Sequence, residues 1–409
     1  MKKLAICIPN YNRAKELSRL LKSVAEQIVS GKLHRDVEIC VSDDCSTEDI
    51  QTVIEAVQIQ YPEVYLKFHA NVRNMGMDYN FLNCVQISDA EYCWIIGNDD
   101  LPEENGLRSV LGNLDDGHEE IDILVCPFDV YDENNRVLRS VYPLRNVGQG
   151  CLSFNTENAN EYVDLLEKVN DGNALFCFLS NVVFKREAWV RHGDMFASKM
   201  HSIFIQMYMN LQTMKEGAVY KYVPDKFIKN YVDDEMNATY KREYDVLVGL
   251  SGVIDYFFTG EIHRKLQMRI VDGRINGRMW DAPDDSLEKQ QILQIKSPKN
   301  ELYKKYFIAS KERGNFFAGK NVLVYGAGDF GKKAVADLKN YNTNSIMVFD
   351  ADVNKWRKEL EGYMIHPAKD LSVVYHNRES IVVVANNSAL IEIVEMFSLN
   401  DIQNIAIIT

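Results

Sequence analysis

The stretch Trp94-Ile95-Ile96-Gly97-Asn98-Asp99-Asp100-Leu101-Pro102 decides the fold. A short apolar run, preceded by Tyr92 and Cys93, stops at two adjacent carboxylates, and a proline follows. Such a run reads as a buried strand of a parallel sheet. Open α/β sheets bind ligands at the carboxyl ends of their strands, so Asn98, Asp99 and Asp100 stand where a site is expected. Their hard oxygen atoms suit Mg2+ or Mn2+ bridging a diphosphate. The competing reading is a polar turn with Pro102 opening a helix, since Asn and Asp are common turn residues.

The same pattern recurs upstream. A strand over residues 3–8 leads into Pro9-Asn10-Tyr11-Asn12-Arg13, after which Leu17, Leu20, Leu21, Val24 and Ile28 recur at helical spacing. A strand over 37–41 ends in Ser42-Asp43-Asp44-Cys45-Ser46-Thr47, and Ile50, Val53, Ile54 and Val57 mark the next helix. A third strand, 64–68, precedes the loop Asn71-Val72-Arg73-Asn74-Met75-Gly76-Met77 and a helix over 79–87. This alternation predicts an α/β fold with a parallel, doubly wound sheet and right-handed crossovers. Three successive strand ends carry polar groups, which a convergent site explains better than three independent turns.

Composition narrows the function. The 409 residues exceed a single typical core, so two or three domains are expected. Hydrophobic content of 46% and charged content of 26% are those of a soluble globular protein. A net charge of -13 argues against nucleic acid held by its phosphates. An anionic substrate then needs local help from a metal, helix N-termini or placed cations. Lys2 and Lys3 lead straight into a strand, which reads as a chain without a signal peptide. No stretch approaches the roughly 20 apolar residues of a membrane span. The expected location is cytoplasmic, with peripheral association at the inner face of the membrane as a variant. The eight cysteines form no CxxC pair, and several sit in apolar strands. They read as buried thiols rather than disulfides or a zinc site.

Residues 1 to about 230 resemble the inverting glycosyltransferases of family 2, which have a GT-A fold. The resemblance is carried by Ile8-Pro9-Asn10-Tyr11-Asn12, Val41-Ser42-Asp43-Asp44-Cys45-Ser46, Asn74-Met75-Gly76 with Asn80, and Gly97-Asn98-Asp99-Asp100. It implies that Pro9 and Tyr11 line the nucleobase pocket, with Asn12, Asn74, Gly76 and Asp99 on the nucleotide side. It implies that Asp44, with Asp43, accepts a hydrogen bond from a uracil ring. The metal ligand it implies is Asp100, with Asn98 standing where the family has its first Asp. An amide oxygen can ligate a hard cation but brings no charge. The general base is implied just before the last helix of the domain, where Asp194 and His201 are the candidates.

Further on, residues 121–128 read as a strand, followed by a hairpin turning at Asp132-Glu133-Asn134-Asn135. Residues 176–184 read as an aromatic-rich strand, and 202–214 as an apolar helix. Residues 235–318 are helical by pattern, with Tyr244, Leu247, Leu250, Val253, Ile254 and Phe257 on one face. Lys265, Arg269, Arg274 and Arg278 there mark either a lipid-facing or, more commonly, a solvated basic face. A strand over 321–325 runs into Gly326-Ala327-Gly328-Asp329-Phe330-Gly331, which opens a helix, and the next strand ends at Asp350. This is a dinucleotide fingerprint with its acid about 20 residues on. The glycines Gly326, Gly328 and Gly331 allow a pyrophosphate close to the helix N-terminus. The segment resembles the small Rossmann-like domains of polysaccharide-biosynthesis proteins through Asp350-Ala351-Asp352, Lys355-Trp356, Gly362 and Pro367. It binds a nucleotide, or it is an empty fold used for packing or assembly.

The expected organisation is a GT-A domain over 1–234, a helical connecting region over 235–318 and a Rossmann-like domain over 319–409. The expected activity is metal-assisted, inverting transfer of a sugar from a nucleotide-diphosphate donor, UDP-linked, to a glycan or lipid-linked acceptor in cell-surface polysaccharide synthesis. The alternatives are an NAD-binding oxidoreductase centred on the C-terminal motif, or a non-catalytic nucleotide-sugar sensor. A homo-oligomer is compatible with each.

Overall fold

The computed structural model describes all residues except 116–119, 201, 232–239, 276, 377–378 and 409, with the side chains of 240–242 and 277–278 also left out. His201 and the side chain of Arg278 therefore lie outside the described residues. The chain divides into two compact units, Met1–Phe258 and Thr259–Thr409. The 235–318 stretch is thus shared between them: the helix Tyr240–Phe257 belongs to the first and the helices from Gly260 onward to the second.

In the first unit, the apolar runs pair as strands β1 (Leu4–Asn10), β2 (Val37–Asp43), β3 (Leu66–Ala70) and β4 (Tyr92–Ile95). Every residue of β2 and β4 is buried, as strands covered on both faces require. The helix Ala14–Gly31 covers them with Leu17, Leu20, Leu21, Val24, Ala25 and Ile28. These four strands are parallel, with β1 between β2 and β4. The register sets Asn10 beside Asp43, so the polar strand ends lie at one edge.

Beyond β4 the chain departs from a parallel sheet. The remaining strands are β5 (Leu101–Pro102), β6 (Ile123–Val125), β7 (Phe128–Tyr131), β8 (Val137–Val141), β9 (Leu152–Asn155), β10 (Val182–Lys185), β11 (Val219–Tyr222) and β12 (Ile228–Tyr231). The large sheet has the order β3-β2-β1-β4-β10-β6-β11-β9, and β10 runs antiparallel to both of its neighbours. A small sheet, β5-β12-β7-β8, stands apart from it. The strand expected over 121–128 is split between the two sheets at Cys126-Pro127, where proline has no N–H to give a ladder. The strand expected over 176–184 shrinks to β10. Its aromatics pack instead: Phe176 is buried at a φ of 71°, and Phe178 lies against Phe128 with centroids 4.4 Å apart. Pro102 opens no helix; it ends β5, and the next helix is Gly106–Leu114. The β7–β8 hairpin turns as expected, with Asn135 at a φ of 58°.

The second unit is a sheet of β13 (Asn321–Tyr325), β14 (Ser345–Asp350), β15 (Glu359–Leu360), β16 (Tyr363–Pro367), β17 (Ser380–Val384) and β18 (Ile405–Ile407). Its order is β15-β16-β14-β13-β17-β18, parallel throughout except for β15. The chain reverses direction across the sheet at β13. Gly326 follows it at a φ of 112°, where a Cβ would lie 2.7 Å from the Ala385 carbonyl oxygen. A Cβ on Gly331 would lie 1.9 Å from the Gly326 carbonyl oxygen, so only glycine fits there, in the first turn of the helix Asp329–Leu338. Among the described residues, no helix of either unit is long and apolar enough to cross a membrane.

Candidate active site

Three strand ends converge through one hydrogen-bonded chain. Asn10 Nδ2 donates to Asp43 Oδ1 at 2.8 Å, and Asn10 Oδ1 accepts from Asn98 Nδ2 at 2.8 Å. Asp43 in turn accepts from the backbone N–H of Ser46 at 2.9 Å and from its hydroxyl at 2.5 Å. The Ser46 hydroxyl accepts from the Asn12 N–H at 2.8 Å, and Asn12 Oδ1 accepts from the Thr47 N–H at 2.8 Å. Ends of β1, β2 and β4 are thereby locked into one surface. Pro9 is half-buried in β1 and Tyr11 is 46% exposed beside it.

Asp44 has a structural role that the sequence did not reveal. Its carboxylate is buried and accepts three chain donors: Asn71 Nδ2 at 2.8 Å, the Met75 N–H at 2.8 Å and the Gly76 N–H at 2.9 Å. Asn74 Oδ1 also accepts from the Gly76 N–H, at 3.0 Å. Asp44 therefore pins the 74–76 turn to the end of β2.

Asp100 is 2% exposed. It accepts from the Ser180 hydroxyl at 2.6 Å and from Asn230 Nδ2 at 2.9 Å. Both donors are neutral, so burial, and then the neighbouring Asp99 carboxylate, push the Asp100 carboxyl up to about 8. Asp99 itself meets Arg13 at 3.3 Å, and its carbonyl oxygen accepts from Arg19 at 2.6 Å. Gly97 makes the turn this tight: a Cβ there would lie 2.8 Å from Asp99 Oδ1.

A buried carboxylate held only by neutral groups is a natural partner for a hard cation. Asn98 spends its amide N–H on Asn10, which leaves its oxygen available on the same turn. The residues present fit a divalent ion at Asp100 with Asn98. Among the described residues no cluster of three His, Cys, Asp or Glu could hold a metal, so phosphate and water oxygens would have to complete its shell.

Asp194 sits in the turn after the helix Arg186–His192, with its side chain exposed. No contact joins it to the strand-end chain among the described residues. Ser180 and Asn230, which grip Asp100, were not anticipated; they lie 80 and 130 residues away in sequence, and nothing in their local patterns marks them. All eight cysteines are free; five are buried, while Cys45 and Cys151 are exposed.

In the second unit, Asp350 Oδ2 accepts from the Ala327 N–H at 2.6 Å and from Lys355 at 3.1 Å, and Oδ1 accepts from the Asp352 N–H at 2.8 Å. Burial alone would raise this carboxyl, but the amides and the ammonium outweigh it and hold it below its ordinary value. A cleft at the carboxyl ends of β17 and β18 is lined by Phe330, Asn386, Asn387 and Tyr303 among others.

Residues 5–192 match the model of glycosyl transferase family 2. This segment belongs to that family. An abequosyltransferase, RfbV, of Salmonella typhimurium is 30% identical over 194 residues, which are 46% of this chain and 54% of that protein. A Campylobacter jejuni GalNAc(5)-diNAcBac-PP-undecaprenol beta-1,3-glucosyltransferase is 25% identical over 121 residues, 30% of this chain and 37% of that protein. The chain thus spans about half and about a third of these two relatives. Among solved structures, residues 1–349 of Staphylococcus aureus TarS superpose with a TM-score of 0.51 at 15% identity, covering 83% of this chain and 89% of that one. At that identity the likeness speaks for the fold alone, and the first unit has the GT-A architecture.

Proposed function

We propose that the first unit is an inverting glycosyltransferase that moves a sugar from a UDP-linked donor to a glycan or lipid-linked acceptor at the cytoplasmic face of the membrane. The observation that carries this reading is the convergence of Asn10, Asp43 and Asn98 on one hydrogen-bonded chain, with the buried Asp100 two residues beyond Asn98 on the same turn. The relatives are named as glycosyltransferases, and one acts on an undecaprenol-linked acceptor.

In this reading Pro9, Tyr11 and Asn12 flank the nucleobase. Asp43 and Asp44 act chiefly by shape, fixing the 46–47 and 74–76 turns around it. A uracil N–H at Asp44 would share an oxygen that already accepts a chain N–H. Asp100 and Asn98 would hold a Mg2+ or Mn2+, which when bound offsets the charge gathering on the departing diphosphate. Arg13 and Arg19 keep Asp99 turned and neutralised beside it. The acceptor hydroxyl must lose its proton as it attacks the anomeric carbon. Asp194, exposed and on the acceptor half, is the described candidate for that step; His201 is the other. The second unit, over its β13–β18 sheet, serves assembly or ligand binding rather than the transfer chemistry.

A thermal-shift screen of nucleotide sugars with and without Mn2+ tests the reading, because a ligand that binds the native state raises its melting temperature. A UDP-sugar that stabilises the protein, is consumed, and yields product of inverted configuration by NMR supports it. Protein that no nucleotide sugar stabilises, and that turns none over, refutes it.

A further inference from the structure

The helix Met77–Ile87 packs on β1 and β2, and its start is bonded in two directions. One direction is toward the nucleotide side, where Asp44 holds the Met75 and Gly76 N–H groups. The other runs through Asp78, in the first turn of the helix and 3% exposed. Its Oδ2 accepts from the Ile203 N–H at 3.0 Å and from the Ser202 hydroxyl at 3.5 Å, and its Oδ1 from the Ile205 N–H at 3.5 Å. These partners lie more than 120 residues downstream, at the entrance of the buried helix Ile205–Lys215.

That helix begins without a cap of its own, since Phe204 offers no side-chain acceptor. A carboxylate at this end satisfies an orphan N–H and suits the positive end of the helix dipole. Ile203 is held at a φ of 62°, a left-handed conformation that a β-branched residue keeps only where its surroundings over-determine it. A second constraint comes from the helix Tyr240–Phe257. A Cβ on its Gly249 would lie 2.5 Å from the Phe204 ring and 2.9 Å from the Ser202 carbonyl oxygen. Segment 202–205 is therefore gripped by Asp78 and fitted closely against Gly249.

Resting on the glycosyltransferase reading above, we infer that Asp78 is a positioning residue that holds segment 202–205, on the acceptor half, in register with the nucleotide-side turn. It touches no reacting atom: its carboxylate is buried and occupied by chain donors. Its effect is geometric. The donor-side turn and the acceptor-side segment hang from the same helix start, so shifting one shifts the other.

The test is Asp78→Asn in the full chain, which replaces one accepting oxygen by an amino group facing N–H donors. Transfer kcat should fall on the order of 10- to 100-fold, the cost of misplacing a reacting group. UDP affinity by calorimetry and donor hydrolysis by water should change far less, so the ratio of transfer to hydrolysis drops. Hydrogen exchange at the Ile203 and Ile205 amides should quicken. Should Asp78→Asn fail to fold, Ser202→Ala, which removes the hydroxyl contact to Asp78 and the acceptor of the Phe204 N–H but leaves the backbone contacts of Ile203 and Ile205, should lower the same ratio by a smaller factor. Folded variants with an unchanged ratio, or with UDP affinity and both rates lost together, overturn the inference. Wild-type protein that neither binds UDP nor consumes a nucleotide sugar overturns the transferase reading instead.

Discussion

Each unit has an acidic residue at or just beyond the end of a central strand, and the two are treated in opposite ways. Asp100 of the first unit is buried among neutral donors, Ser180 and Asn230, and its carboxyl is pushed up to about 8. Asp350 of the second unit meets Lys355 and two backbone amides, and its carboxyl is held below the ordinary value. A site that must receive positive charge from outside leaves its acid uncompensated, at a cost in stability. A site that serves the fold supplies its own cation. On this physical ground we propose that the first unit, rather than the second, is the working centre.

The contrast is most sharply broken through activity. Asp100→Asn should lower sugar transfer on the order of 10² or more, since a charged anchor for the metal and the developing diphosphate charge is lost. Steady-state donor turnover in excess Mn2+ is the measurement. Undiminished turnover would move the metal site away from Asp100.

The stability effects of the two acids should have opposite signs. Asp100 has an ordinary value of 3.8 and a folded value of about 8. Between these the folded state binds more protons than the unfolded one, so metal-free stability declines as pH rises from about 4 to about 8. Asp100→Asn should flatten that decline and, near pH 8, raise the melting temperature even as transfer falls. Asp350 is lowered instead, so its contribution is present above its ordinary value of 3.8 and is lost as pH falls through the lower folded value. Asp350→Asn should destabilise at pH 7 by about 1.5–3 kcal/mol, the range for hydrogen bonds to a charged group. Denaturant melts across pH compare the two, and a shared sign would erase the distinction.

Asp44 asks whether an acid can belong to both categories. Asp44→Ala leaves three donors, on Asn71, Met75 and Gly76, without their acceptor, and should cost about 1–3 kcal/mol. UDP affinity should fall with it, because the 74–76 turn loosens. Unchanged stability together with weaker UDP binding would return Asp44 to a direct role at the nucleobase.

How much of this was readable from the residues follows the same divide. The strands β1, β2, β4, β13 and β14 are apolar on both faces, and such runs announce themselves. So did the strand-end polar groups that converge on Asn10. What stayed hidden depends on contacts that span long stretches of chain. Pro127 cuts one apolar run into strands of two different sheets, and Phe176 leaves the strand its neighbours suggested. Ser180, Asn230 and Asp78 acquire meaning only once residues far apart in sequence are side by side. The GT-A sheet begins as the alternating pattern predicts and turns mixed where β10 enters antiparallel, after a long excursion through the small sheet.

The smallest effect is expected at Gly328, and it tests the comparison from the other side. The fingerprint loop has two glycines where a side chain cannot fit, Gly326 and Gly331, and one where it can. A Cβ on Gly328 would meet nothing within 4 Å, and its φ of -93° is open to any residue. If the second unit took part in the chemistry through a pyrophosphate lying on this loop, filling the space would be felt in turnover. If it is a self-satisfied fold, Gly328→Ala should shift stability by no more than about 0.5 kcal/mol, as for an unconstrained surface position. The bulkier Gly328→Trp would block any phosphate approach, and donor turnover at the first unit should persist in folded protein. Turnover that vanishes in Gly328→Trp, with circular dichroism and UDP binding normal, would make the second unit catalytic or directly regulatory. The compensated Asp350 would then be the acid of a working site.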